Sequence, residues 1–370
     1  MNRLESSITF FDTVVVKALR FVVAFVDMLR RIQEMLHANR KLLGFRPQVH
    51  KIAFGKKRHT ANIENQKESY ILPMLLALVK MSRPVNIVIA MVTLVIGYYL
   101  LSALPTTTGG IEWLPLVLQA LGFAFAIAFA NIQNDIWDLD SDCLNRPERP
   151  LVSGKVSVAA ARRAWIILLV LTIAAGLADS LMTKTNGTAC IFFVLLSALL
   201  VAYNKWLKHI PLLKNMTVAF LCATPLILCL FYPTGLKESI ESTLGISNKI
   251  GLLYPAMLFA ILLTTAREIY KDLEDETGDL KAGIMTFPLI AGAPTARRLA
   301  GLICLFTWAI LPLPVAQGYY PMLFLIITGI AFTPAVIAIL VFANKRNYRN
   351  SQKLVKVAMF AGLIALVVSC

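Results

Sequence analysis

The sequence predicts an all-α, polytopic membrane protein, a helical bundle with about nine transmembrane helices. Three observations carry that reading. Apolar residues make up 58% of the chain and charged residues 15%, against roughly 25% charged in an ordinary soluble domain. Mean hydropathy is +0.70. Apolar segments of about 20 residues, long enough to cross a bilayer, recur from residue 84 to the C-terminus. Length alone would allow about one to three soluble domains. The recurring apolar runs favour one membrane domain instead.

Taken in order, residues 1–75 form an N-terminal extension and residues 76–370 the transmembrane domain. Within 10–43, Lys17, Arg20, Asp27, Arg31 and Glu34 follow helical spacing, with Val15, Leu19, Val22, Val26, Leu29 and Ile32 on the other face. That pattern predicts an amphipathic helix lying on the membrane surface; packing against a partner is the alternative. Charges interrupt the run, which opposes a cleaved secretory signal, and Glu5, Asp12, Asp27 and Glu34 disfavour a transit peptide. Residues 44–70 are polar, basic and linker-like.

Spans are expected near 84–104, 114–134, 163–182, 187–204, 212–232, 250–270, 299–317, 321–343 and 354–370. Their connections alternate in charge. The 132–162, 204–214, 268–298 and 344–353 loops hold most cations, including Arg162, Lys205, Lys281 and Lys353, whereas 105–113 and 318–320 hold none. Cations gather in cytoplasmic loops, so nine spans with a cytoplasmic N-terminus fit the pattern. A plasma membrane is expected, and an organellar one stays open. The same segregation explains the net charge of +15 without nucleic acid, for which no basic helix or base-stacking platform stands out. The six cysteines contain no CxxC pair, so neither a disulfide framework nor a zinc site is expected.

Two segments carry chemistry. The first closes the apolar run 116–130 and contains Asn134, Asp135, Asp138 and Asp142. On a continuing helix the three aspartates are spaced i, i+3, i+7 and share one face. The second closes the apolar run 252–266. There Asp272, Asp275 and Asp279 repeat the spacing, with Gly278 expected to loosen the helix end. Carboxylates so close repel at a membrane boundary. A divalent cation removes the conflict, and Mg²⁺ takes a few carboxylates together with waters and phosphate oxygens. Two such clusters on the same side suit a diphosphate leaving group, whose developing charge bound Mg²⁺ stabilises. Arg146, Arg149, Lys205, Lys208, Arg267 and Lys271 are candidates to grip the remaining oxygens, or else anchors of the positive-inside kind. An allylic cation would need a dry, aromatic-lined cavity.

These residues resemble the UbiA superfamily of intramembrane prenyltransferases. Asn134, Asp135, Asp138 and Asp142 match its first Asp-rich motif. Arg149, Pro150, Leu151, Ser153 and Gly154 match an Arg-Pro-Leu-x-Ser-Gly element, and Asp272, Asp275 and Asp279 match the second motif. Smaller matches are Arg83 and Pro84 with Asn86, Tyr203 with Lys208, Asn215, and the run Gly283 to Thr286. The resemblance spans about residues 75–370 and implies a nine-helix fold. It implies that both motifs bind Mg²⁺ and the diphosphate of a polyprenyl donor, through Asn134, Asp138, Asp142, Asp272, Asp275 and Asp279, with Asp135 part of the catalytic set. Asn86 and Tyr203 join the substrate-binding candidates. The prenyl group then passes to a lipid-soluble acceptor. The run from Arg267 to Asp275 is most similar to digeranylgeranylglyceryl phosphate synthases, which implies transfer of a geranylgeranyl group to geranylgeranylglyceryl phosphate in ether-lipid synthesis. Homogentisate, chlorophyllide and 4-hydroxybenzoate remain alternative acceptors.

Other classes fit less well. A secondary transporter would place broken helices and acids near mid-membrane, whereas these acids sit at span ends. A CDP-alcohol phosphatidyltransferase would carry an Asp-Gly-x-x-Ala-Arg run, which does not occur here. A non-catalytic scaffold would be expected to lose motif aspartates, and none is lost.

Overall fold

A computed structural model describes residues 66–102, 112–183, 187–230 and 248–369. Residues 1–65, with the surface helix expected over 10–43, lie outside the described residues. Every regular element among the described residues is helical.

In chain order these are α1 (Gln66–Met81), α2 (Pro84–Ser102), α3 (Trp113–Trp137), α4 (Leu139–Asn145), α5 (Val158–Met182), α6 (Thr188–Lys205), a 3₁₀ turn (Leu207–His209) and α7 (Leu213–Cys229). There follow α8 (Asn248–Ala282), α9 (Phe287–Ala291), α10 (Ala293–Ile310), α11 (Leu313–Ala316), α12 (Met322–Asn344) and α13 (Tyr348–Ser369). Among the described residues, eight stretches are long and apolar enough to cross a membrane: those at α2, α3, α5, α6, α8, α10, α12 and α13. The expected span at 212–232 is α7, apolar but only 17 residues long. Among the described residues, the nine expected spans thus correspond to eight full-length helices and the shorter α7. The chain is a multi-pass membrane protein.

Local chemistry sets several boundaries. Pro84 opens α2, where its missing N–H has no intrahelical partner to lose. The Ser157 side chain accepts a hydrogen bond from the Ala160 N–H at 3.2 Å. This cap starts α5 at Val158, ahead of the 163 expected from hydropathy. The run expected over 299–317 divides at Pro312 into α10 and α11.

The helices close into a ring. α2 packs on α3, α3 on α5 and α6, α5 on α6, and α7 joins α2 to α8. α8 packs on α10 and α13, α12 on α10 and α13, and α13 returns to α2. Outward faces stay apolar, as with Ile166, Ile167, Val170 and Leu181 on α5; a bilayer, which is as apolar as these side chains, accepts such a surface. Inside, Phe123, Phe192 and Phe193 make edge-to-face contacts with centroids 5.3 to 5.9 Å apart, the geometry that ring quadrupoles favour. Phe193 is admitted by two glycines. A Cβ on Gly122 would lie 2.4 Å from its ring, and one on Gly176 would lie 2.9 Å from it. Gly122→Ala is therefore expected to destabilise the bundle by about 1–3 kcal/mol. A melting curve in detergent checks this, and an unchanged midpoint would mean the ring can move aside.

Candidate active site

Each Asp-rich motif ends a long helix, and the two ends meet. The first departs from the expected continuous helix. α3 stops at Trp137, and Asp138 adopts φ −90°, ψ 6° before α4 begins. The bonds from Asp138 N to Asn134 O (2.9 Å) and from Asp142 N to Asp138 O (2.8 Å) survive, so the chain bends without unravelling. The three carboxylates then divide between two cations. Lys208, on the 3₁₀ turn, donates to Asp138 Oδ1 at 2.6 Å and to Asn134 Oδ1 at 3.3 Å. Asn134 Nδ2 in turn donates to Asp138 Oδ2 at 2.8 Å. Arg149 Nη1 donates to Asp135 Oδ1 at 3.0 Å and also to Asp142 Oδ2. Mutual repulsion along a straight helix is relieved by this division.

Arg149 is placed by the turn that follows α4. Ser153 N donates to Arg149 O at 2.8 Å, and Val156 N to Pro150 O at 3.2 Å. Gly154 takes a left-handed φ of +73°, which a side chain would strain. Arg83, between α1 and α2, also has a positive φ (55°) and reaches Asp135 Oδ1 at 3.4 Å. Burial pushes the Asp142 carboxyl above its ordinary range, and the Arg149 charge opposes that shift.

The second motif also departs from expectation. α8 stays helical through Gly278 to Ala282, so Asp279 keeps the face it shares with Asp272 and Asp275. At 1.5 Å per residue, α8 is about 50 Å long, well beyond the ~30 Å hydrocarbon core. The helix therefore extends beyond the core, and its acidic residues all fall in its C-terminal half. Asp272 is buried, taking Lys214 Nζ on Oδ1 at 2.8 Å and Asn215 Nδ2 on Oδ2 at 3.0 Å. Asp275 and Asp279 are half-buried, with Lys214 and Lys271 within electrostatic reach of Asp279.

What joins the motifs is the segment between α6 and α7. Leu212, at φ 63°, turns the chain there. Lys208 reaches the first motif and Lys214 the second from opposite sides of this turn. Tyr203, at the end of α6, lies within electrostatic reach of Asp138, Asp272, Glu268 and Arg83, and so sits between the clusters.

Other candidates fall elsewhere. Arg146 is exposed and lines a pocket of about 290 Å³ with Lys80, Arg83, Asp135, Glu148 and Arg149. Lys205 turns to the Trp206 ring, 4.6 Å from its centroid. Asn86 is exposed, and no side-chain hydrogen bond joins it to either motif among the described residues. Arg267 and Lys271 both pair with Glu268.

Sequence reasoning undervalued Lys214 and Glu268, the first read as a loop anchor and the second unassigned. Asp179 was missed altogether. It is fully buried at the far end of the bundle, accepting from Gln119 Nε2 at 3.0 Å and Thr183 Oγ1 at 3.2 Å, while Tyr98 donates to Gln119 at 2.8 Å. A lone acid inside an apolar run was the available signal.

The donor set tests the fit of a metal. Every candidate ligand is a hard oxygen, which suits Mg²⁺. Among the described residues, no group of three or more His, Cys, Asp or Glu converges as a closed metal cage.

Fold and site together define an intramembrane enzyme with two facing carboxylate-rich helix ends. Comparison with known proteins makes this specific. The chain belongs to the UbiA prenyltransferase family, whose model matches residues 90–364, and it is a prenyltransferase. It is 27% identical over 296 residues to a digeranylgeranylglyceryl phosphate synthase of Methanobrevibacter smithii, covering 78% of this chain and 96% of that one. A solved structure described as giving insight into digeranylgeranylglyceryl phosphate synthase in membranes superposes with TM-score 0.61 at 26% identity, covering 80% of this chain and 98% of its own. A UbiA homologue from Archaeoglobus fulgidus, solved bound to DMAPP and Mg²⁺, shares the fold with TM-score 0.52 at 19% identity, covering 79% and 99%.

Proposed function

We propose that the protein transfers a geranylgeranyl group from its diphosphate to geranylgeranylglyceryl phosphate, in a Mg²⁺-dependent step of ether-lipid synthesis. The single observation that carries the chemistry is the meeting of two Asp-rich helix ends across the Lys208–Lys214 turn. Similarity over 96% of a synthase of that name, and 78% of this chain, supports the acceptor.

Asn134, Asp138 and Asp142 on one side, and Asp272, Asp275 and Asp279 on the other, would hold the metal. When bound, Mg²⁺ supplies charge neutralisation to the departing pyrophosphate. Lys208 and Lys214, already at 2.6 and 2.8 Å from motif carboxylates, can turn to the diphosphate oxygens. Arg149 holds Asp135 and Asp142 in place. Tyr203, within electrostatic reach of both motifs, would lie beside the bound diphosphate. The donor C–O bond breaks with its electron pair leaving on pyrophosphate. The acceptor hydroxyl oxygen then bonds to the allylic carbon and passes its proton to the departing pyrophosphate. The apolar helix interior excludes water, which would otherwise capture the cation.

By the positive-inside pattern, the site end of the bundle and the N-terminus face the cytoplasm, and the plasma membrane is the proposed location. A radiolabel-transfer assay tests the function. Purified protein in lipid receives labelled geranylgeranyl diphosphate and, separately, geranylgeranylglyceryl phosphate, homogentisate, chlorophyllide or 4-hydroxybenzoate. Label should pass to the glyceryl phosphate alone, stop with EDTA and return with Mg²⁺. Transfer to one of the other acceptors would reassign the branch, and full activity in metal-free buffer would remove the metal from the mechanism.

A further inference from the structure

One group of cations pairs with Glu268 rather than with a motif carboxylate, although Lys271 also lies within electrostatic reach of Asp279. Arg267 and Lys271 on α8 both approach Glu268, Lys271 at 3.6 Å, and Glu268 is itself buried. Lys356 on α13 joins them. Gln352 on α13 donates to Glu274 on α8. One turn further along α13, Lys356 lies within electrostatic reach of Arg267, Glu268 and Lys271, one turn back along α8. The two helices therefore run antiparallel, and their packing fixes this register.

Charge and hydrogen bonding both mark the cluster as incomplete. Two cations pair with the single carboxylate of Glu268 and a third, Lys356, lies within electrostatic reach, so positive charge is in excess among these four side chains. Arg267 spends Nη2 on Glu268, while its Nε is buried with no hydrogen-bond partner. A phosphate monoester carries about −1.5 to −2 charge at pH 7 and offers three acceptor oxygens. It matches both the surplus and the vacant donor. The diphosphate site already has Lys208 and Lys214 at its carboxylates.

We propose that Arg267, Lys271 and Lys356 form the seat for the acceptor's phosphate headgroup, and so select a phosphomonoester-headed isoprenoid alcohol over acceptors without phosphate. This rests on the transfer to a glyceryl phosphate proposed above. It reassigns Arg267 and Lys271 from the donor diphosphate, where the sequence had placed them, and adds Lys356. The spacing suits the role. Arg267 and Asp272 are five residues apart, about 7.5 Å along the helix axis.

The test is a KM comparison with the full-length protein in lipid and labelled geranylgeranyl diphosphate. The acceptors are geranylgeranylglyceryl phosphate and its dephosphorylated alcohol. Wild type should prefer the phosphate strongly. Lys356→Gln and Arg267→Gln should each raise the acceptor KM by about tenfold to a hundredfold, leave the donor KM unchanged and erase the preference. Lys356→Arg should keep it. Lys356 is exposed, so its variants spare the core. If the Gln variants leave acceptor KM alone, or move donor KM equally, the seat is overturned. Equal use of both acceptors by wild type overturns the seat and leaves the transfer reading standing. Use of neither, with donor bound, overturns both.

Discussion

Asp272→Asn should lower prenyl transfer by about a thousandfold or more while the protein stays folded and inserted. Removing one preorganised group that stabilises developing charge commonly costs a hundredfold to a thousandfold, and Asp272 is also a proposed metal ligand. The choice of Asn matters. Asp272 is 4% exposed and accepts from both Lys214 and Asn215. Alanine would leave the Lys214 ammonium facing a void, at a stability cost of several kcal/mol that would obscure the result. Asparagine keeps the size and an oxygen for Lys214, and loses the charge. Transfer rate and melting temperature in detergent, measured together, separate the two effects. Near-normal turnover by a folded Asn variant would refute the role of Asp272 as metal ligand.

Arg149→Gln should destabilise the protein by about 2–3 kcal/mol and reduce transfer about a hundredfold. Arg149 is the cation shared by Asp135 and Asp142, both of them buried. Without it the two carboxylates face each other with Arg83 reaching only Asp135. Mg²⁺ should restore part of the lost stability, because the ion supplies the missing positive charge between carboxylates. That response distinguishes a charge clamp from a packing element. A melting temperature that falls equally with and without Mg²⁺ would show that Arg149 supports the turn alone.

The spans were legible because a bilayer leaves few choices. Backbone groups in hydrocarbon must pair within the segment, so an apolar run of sufficient length reads as a helix. The motifs were legible because aspartates at i, i+3, i+7 beside apolar runs have few structural explanations. The bend at Asp138 was not legible, since it follows from Lys208, seventy residues away, drawing that carboxylate apart from its neighbours. Nor was the helical continuation through Gly278, where the exposed glycine carries the helix on to Ala282 despite its weak propensity.

By itself, then, the sequence determined the membrane class, the helical fold and the two acidic helix ends, because these depend on local periodicity and on the cost of burying polar groups. Tertiary structure alone decided which cation serves which carboxylate. Lys208 goes to Asp138, Arg149 to Asp135 and Asp142, and Lys214 to Asp272. It also decided that Lys356 on α13 comes within electrostatic reach of Arg267. Charge pairing acts through space over a few ångströms, and only the closed ring of helices brings such distant residues within that range.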